Sequence, residues 1–402
     1  MRPILRGDIQ FMATIIEGRR MIAFMDPYDL GESPVAVDYG FLPLLQMLNG
    51  RNDLQDIRLE LMNRNGGRLV FLSDVEQVIE CLDRAVLLDN ENFRRRMDAA
   101  RRDYAALSER EPAHAGKAYP GEPAELIRLI EEEEKELGPA PRPSGTIAGL
   151  IAPHIDIRVA RKSYVDLYRR LAGQSFDRTV VFGIDHKPQD GLFSVSAKDY
   201  LTPCGPLRTD RAFVSELKRE LPGDILGRDD FGHKTEHSIE FQALFLRHYL
   251  GGDTLLVPIL CGGFHEFILG GKDPLADDRF ISMLNAVRAA AGRCGGKTLF
   301  AAGVDFSHVG QKFGNPYPAD VILPRARAYD RDLLACIASG DTAGISRMTL
   351  KSRNDFNVCG FPAILFLSAL LRDRRAEVLS YETYDERATG SAVGYASIIF
   401  YD

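Results

Sequence analysis

From Thr146 onward the sequence alternates short apolar stretches with amphipathic ones, and this alternation limits the chain to few architectures. The stretches Thr146–Ala152, Arg178–Gly183, Leu192–Ser196, Leu255–Leu260 and Thr298–Val304 predict strands, and Ala376–Tyr381 and Ala392–Tyr401 predict two more at the end. Between them, Ala160–Leu171, Ala212–Leu221, Glu236–Leu250, Asp278–Ala291, Arg325–Ala338 and Phe361–Leu371 predict helices. That order implies an α/β domain whose mixed or largely parallel sheet is flanked by helices on both faces.

The N-terminal third reads differently. Ile9–Ile16 and Met21–Met25 predict two strands around Glu17-Gly18-Arg19-Arg20, a hairpin signal. Three short helices follow at Tyr39–Leu48, Leu54–Met62 and Val75–Val86, the first ending at Asn49-Gly50. A hairpin with three helices is a small winged-helix-like α+β domain over 1–90. Residues 91–112, with Arg94-Arg95-Arg96, predict a linking helix with a solvated face. Pro123–Glu136 is a further helix with proline in its first turn, and Pro139 to Pro143 mark a break before the main domain. The expected organisation is therefore 1–90, 91–112 and 113–402.

Composition excludes several roles. The chain carries 50 Lys+Arg against 57 Asp+Glu, a net of −7. Residues 1–90 alone hold nine Arg, no Lys and fourteen acidic residues, a net of −5. Gripping nucleic acid needs a basic field, so no nucleic-acid partner is expected. No apolar run is long enough to span a bilayer, so no membrane role is expected either. Arg6 and Asp8 interrupt any apolar leader, and the six cysteines at 81, 204, 261, 294, 336 and 359 form no CxxC pair. Both features fit a cytoplasmic protein. No P-loop, GxGxxG or GxSxG spacing occurs, which leaves nucleotide binding and serine-nucleophile hydrolysis unsupported.

The eight histidines carry the chemistry. "GLIAPH" ends at His154, "VVFGIDH" at His186, and "LFAAGVDFSH" reaches Asp305 and His308. In open α/β sheets, ligands gather beyond the carboxyl ends of strands. Three such endings can place three imidazoles and a carboxylate in one crevice, a donor set suited to Fe, Cu, Zn or Ni. In "NDFNVCGFPAI", Cys359 precedes a helix with Pro362 in its first turn, and Asn357 is a candidate cap. A helix N-terminus favours thiolate, the form that binds metal. In "KTEHSIEFQALFL", His237 and Glu240 are three apart and share a helix face, where they could serve as acid, as base or to orient a metal ligand.

Taken in order, these motifs resemble the MEMO family, which includes the AmmeMemoRadiSam system protein B proteins. The correspondence runs from "AHAGKAYPGEPAEL" through "IAPHIDI", "FGIDHK", "YLTPCGPLRTD", "EHSIEFQ" and "VDFSHVG" to "NVCG". The resemblance implies the fold of the class III, LigB-type extradiol dioxygenases. It implies His154, His186 and Cys359 as metal ligands, with His237, Asp305 and His308 lining the same cleft. LigB-type enzymes hold Fe(II) with two His and a carboxylate. A thiolate in the third position is softer and shifts preference toward copper or a different iron chemistry. The sequence departs from the family elsewhere. "IDI" follows His154 where "AGY" is common, Lys187 replaces a second His, Val304 and Val309 replace Ser and Trp, and Phe361-Pro362 replaces Arg-His.

Residues 1–90 resemble the PqqD-like peptide-binding modules, through the hairpin, "LNGRNDLQDI" and "VIECLDRAVLL". Three functions follow as expectations. One is a non-haem Fe(II) or Cu redox enzyme, in which His237 or His308 moves protons and Asp305 fixes an imidazole tautomer. A second is a non-catalytic adaptor that binds a radical SAM protein, an AMMECR-like protein or a peptide through its N-terminal module. A third is an extradiol-type dioxygenase. A homo-oligomer is compatible with each.

The remaining polar residues have plainer readings. Cys204 lies in a Pro/Gly turn, and a hairpin accounts for Tyr200, Thr202 and Asp210. His114 can pin the N-terminal segment across the domain. His233, His248 and His265 are expected at the surface.

Overall fold

The period-2 and period-3.6 patterns become two compact units in the computed structural model, Met1–Ala106 and Leu107–Asp402. The structure describes every residue except 32–34, 65, 142–143, 188–190 and 224, so part of the expected Pro139–Pro143 break lies outside the described residues.

The first unit opens with the hairpin β1 (Gln10–Ile16) and β2 (Arg19–Met25), whose turn carries Glu17 and Gly18 at positive φ. A third strand, β3 (Val35–Asp38), pairs antiparallel with β2 and was absent from the sequence reading. The helices α1 (Leu42–Met47), α2 (Leu54–Arg64), α3 (Leu72–Arg84) and α4 (Glu91–Ala105) follow. Leu44, Ile57, Val75, Ile79 and Leu82 pack against Ile22 and Phe24 of β2. Beneath them the guanidinium of Arg6 bonds Asp8 and Asp26 and the carbonyl of Val86, tying three segments together.

In the second unit the order is β4 (Glu109–Arg110), α5 (Pro123–Leu137), β5 (Ile147–Ala152), α6 (Ile157–Tyr168), β6 (Arg178–Ile184), β7 (Phe193–Val195), β8 (Asp199–Tyr200) and α7 (Arg211–Glu220). There follow α8 (His237–Leu250), β9 (Leu255–Cys261), α9 (His265–Gly270), α10 (Asp278–Cys294), β10 (Thr298–Gly303), β11 (His308–Gly310) and α11 (Ala319–Ser339). The chain ends with α12 (Thr342–Ser352), α13 (Phe361–Leu370), β12 (Arg375–Glu386) and β13 (Ser391–Tyr401).

Four strands in the order β5-β10-β6-β9 run parallel and form the centre of a mixed sheet. Short β7 adds antiparallel to β9. On the other side, antiparallel β13 pairs β5 through its second half and β11 through its first, and β12 covers its outer edge along its whole length. Side-chain alternation divides the core in two. Val180, Phe182 and Ile184 of β6 face Phe280, Ile364 and Phe366, whereas Val181 faces Tyr164, Phe241 and Phe245. The sheet is thus covered on both faces, as the alternation of elements predicts.

Several helices differ from expectation. Helix α11 begins at Ala319, six residues before the predicted start, because Pro324 sits in its early turns and removes only one backbone bond there. Helix α12, capped by Asp341 accepting from the Gly344 N–H, was not predicted. No described helix is long and apolar enough to cross a membrane.

Candidate metal centre

All four parallel strands deliver their carboxyl ends to one side of the sheet. His154 lies two residues beyond β5, His186 two beyond β6, and Asp305 two beyond β10. Helix α8 begins at His237 beside them. Its close approach requires glycine: a Cβ on Gly183 would lie 2.5 Å from Ser238 Oγ, and one on Gly303 would overlap the Ser238 carbonyl oxygen. The Ser238 hydroxyl in turn bridges the Ile184 N–H and C=O at 3.0 Å each, fixing the helix start to the strand end.

The imidazoles of His154, His186 and His237 form a near-equilateral triangle, with centroids 5.0–5.1 Å apart. Each has its Nδ1 fixed. His154 Nδ1–H donates to the Gly303 carbonyl at 3.1 Å, and the Nδ1–H groups of His186 and His237 each lie 3.1 Å from the Glu236 carboxylate. His308 Nδ1–H donates to the Phe306 carbonyl at 2.9 Å. In the neutral form of each ring the lone pair is therefore on Nε2. The Cys359 sulfur lies 3.2 Å from His154 Nε2, and the donor atoms of His154, His186 and Cys359 all fall within 4.8 Å of one another. Two ligands of a four-coordinate ion with N and S donors sit about 3.5 Å apart, so this trio has the size of a metal site.

Glu236 is the hub that sequence reasoning missed. It is buried, and it accepts from the His186 N–H and the Ser238 N–H as well as from both rings. The signal was its place directly before the helix, where a side-chain acceptor caps the first turn. His186, Glu236 and His237 also cluster closely enough for a metal, but Glu236's oxygens are engaged as hydrogen-bond acceptors.

The electrostatics follow burial. Burial, reinforced by the neighbouring imidazoles of His237 and His186, holds His154 neutral well below its usual range. Burial also disfavours charge on His186, but the Glu236 carboxylate and the Cys359 thiol raise it well above its ordinary value. Burial brings His308 down to about 4. It pushes Asp305 up to about 7, against hydrogen bonds from the His154 and Ile155 N–H groups.

Three sequence expectations need correction. Burial raises the Cys359 thiol, outweighing the His186 attraction, so the helix start does not favour thiolate in the metal-free chain. The residue at the cap of α13 is Gly360, whereas Asn357, at φ 48°, donates to the carbonyls of His308 and Phe313. The tautomer of His154 is set by the Gly303 carbonyl, because Asp305 Oδ1 is committed to backbone amides and Oδ2 stands 3.6 Å from Nε2.

A cleft of about 1030 Å³ opens over the cluster, lined by His154, His186, His237, Asp305, His308 and Cys359 among others. Of the predicted site residues, only Glu240 is turned away. Its carboxylate pairs with Arg110 at 2.6 Å and accepts from the Tyr119 hydroxyl and the His114 N–H. His114 thereby pins the start of the unit to α8. His233, expected at the surface, is fully buried between the Tyr200 hydroxyl and the Ser194 carbonyl. His265 is exposed and His248 half-buried.

Imidazoles and a thiol converging beyond parallel strand ends define an α/β protein with a candidate His/Cys metal-binding group. The profile described as Memo-like protein matches residues 110–399. A MEMO1 family protein of Aquifex aeolicus is 31% identical over 379 residues, covering 94% of this chain and 95% of its own. MEMO1 family proteins of Methanosarcina barkeri and Pyrococcus abyssi are each 30% identical, covering 72% of this chain and 99% and 98% of their own. This chain belongs to the Memo-like family. The archaeal relatives match a share of it the size of the second unit, whereas the match to the Aquifex relative extends into the first.

Proposed function

We propose that the second unit binds one redox-active metal ion, Fe(II) or Cu, through His154, His186 and Cys359, and acts as an oxidoreductase. The observation that carries this reading is the convergence of two imidazole Nε2 atoms and one sulfur, with both Nδ1 atoms already held by hydrogen bonds, so that a bound ion would displace any proton on Nε2. Outer partners of this kind orient ligating imidazoles and raise their basicity. When bound, such an ion supplies one-electron chemistry and open positions for a small ligand. Around it, the free Nε2 atoms of His237 and His308 are placed to accept or return a proton at the cleft wall. Asp305 holds the turn after β5 through two backbone N–H groups, and so sets the height of His154.

The resemblance of these motifs to the AmmeMemoRadiSam system protein B proteins supports placing this activity beside a radical SAM enzyme and an AMMECR-like protein. The six free cysteines support a reducing compartment such as the cytoplasm. The test is metal content by mass spectrometry on anaerobically purified chain and its His154→Ala variant. About one Fe or Cu per chain, lost in the variant, is expected. No metal in either sample after reconstitution refutes the reading.

A further inference from the structure

Strand edges elsewhere in this chain are guarded. The outer strand of the large sheet, β12, carries Arg375, Glu377, Glu382, Asp385 and Glu386, and the opposite edge, β7, is three residues long. In the first unit, β3 is four residues long and ends in Asp38. Charge and shortness are the usual defences against edge-to-edge pairing. Strand β1 has neither. Its seven residues, Gln10 to Ile16, hold no charge and no proline, and among the described residues only β2 pairs with it.

Its side chains are uncovered as well. Phe11 and Ala13 stand opposite Phe24 and Ile22, so they share the sheet face that the helices cover. Phe24 and Ile22 are buried there, yet Phe11 is 59% exposed and Ile15, on the same face, 76%. Met12 and Ile16 on the opposite face are also exposed. The helical layer stops at β2 and leaves an apolar shelf beside an open backbone edge.

We infer that β1 is a homodimerisation strand, pairing antiparallel about Ala13 with β1 of a second copy to make one six-stranded sheet. A two-fold contact must be self-complementary, and this strand is. Phe11 comes opposite the partner's Ile15, an aromatic–β-branched pair formed twice, and the small Ala13 meets the partner's Ala13 at the axis. Met12 comes opposite the partner's Thr14, and Gln10 opposite the partner's Ile16. No like charges face each other in these seven pairs, although the chain as a whole is acidic. A second copy therefore meets a neutral edge within a repulsive field. A basic peptide strand would gain from the same field, and salt separates the two occupants.

The experiment is sedimentation of the full chain across roughly a hundredfold concentration range, at low and high salt. The expected result is a monomer–dimer equilibrium that salt strengthens. Ile15→Lys should remain monomeric throughout, with circular dichroism and metal content equal to wild type. Ala13→Cys should cross-link to a disulfide dimer on mild oxidation, because residues opposite at the axis lie about 5 Å apart. Gln10→Cys should not, since its partner copy would sit about 20 Å along the strand. A wild-type monomer at every concentration overturns the inference. So does an Ile15→Lys dimer, equal cross-linking of both cysteine variants, or a dimer that salt dissociates.

Discussion

His154 Nε2 and Cys359 Sγ lie 3.2 Å apart, although 205 residues separate them in the chain. One sits beyond a central strand and the other before a buried helix, so the contact exists only when the sheet and α13 are docked. Cys359→Asp converts the trio to two imidazoles and a carboxylate, the harder set that suits Fe(II). The variant is expected to retain Fe(II) and to lose copper. Side-by-side loading with each metal and mass spectrometry checks it, and undiminished copper in the variant contradicts Cys359 ligation.

Glu236 holds two rings at once, so its loss reaches both. Glu236→Gln keeps the size but replaces one acceptor oxygen with a donor NH2, which cannot accept an Nδ1–H. Metal affinity is expected to fall by about 10–100-fold, the usual cost of losing an outer hydrogen bond to a ligating imidazole. Competition against a chromophoric chelator measures it. Far-UV circular dichroism should be unchanged.

Glu240 gives the opposite pattern. Glu240→Ala takes the carboxylate from Arg110, which is fully buried and keeps the carbonyls of His233, Glu111 and Glu236, and removes the acceptor for Tyr119. Breaking a buried pair from one side costs about 3–5 kcal/mol. The urea midpoint should drop accordingly, while the folded variant still binds one ion per chain. A normal midpoint with lost metal would return Glu240 to the site.

Asp330 sets a pH dependence. It is buried beside β13, accepts from the Ser307 and Tyr381 hydroxyls, and burial lifts it from 3.8 to about 6. Its folded value exceeds its unfolded one, so the native state keeps a proton that the unfolded chain releases. Stability from this group is full below about pH 4 and is lost as pH rises to about 6, a difference of about 3 kcal/mol. Urea unfolding at several pH values, wild type against Asp330→Asn, isolates it. The variant should lack this part of the slope.

How much of this was written in local sequence can be judged residue by residue. The strand-end histidines were legible because an apolar run followed by a polar residue marks where a parallel strand leaves the sheet, and parallel strands leave on the same side. Glu240 misled because helical spacing reports which face a residue occupies, and says nothing of an Arg110 arriving from a distant segment. Glu236, one residue before His237, was hidden by its ordinary look as a helix cap. His233 lay among Asp, Gly and Lys and read as surface. Its burial comes from Tyr200 and Ser194, contacts that only the folded sheet brings about. Strand β3, four residues long, was too short for its alternation to register.

The two glycines under α8 carry a consequence for how such a centre can change over time. Glu236 and His237 ride at the mouth of one rigid cylinder, and the depth of that cylinder is set where Gly183 and Gly303 admit Ser238. A single added methyl at either floor position would lift the whole rim together, moving a ring, its anchor and the second ring that anchor holds. The centre is thus adjusted like an instrument on one focusing screw. Its spacing is inherited from backbone clearance, and residues that never touch an ion decide how closely the donors can close around one.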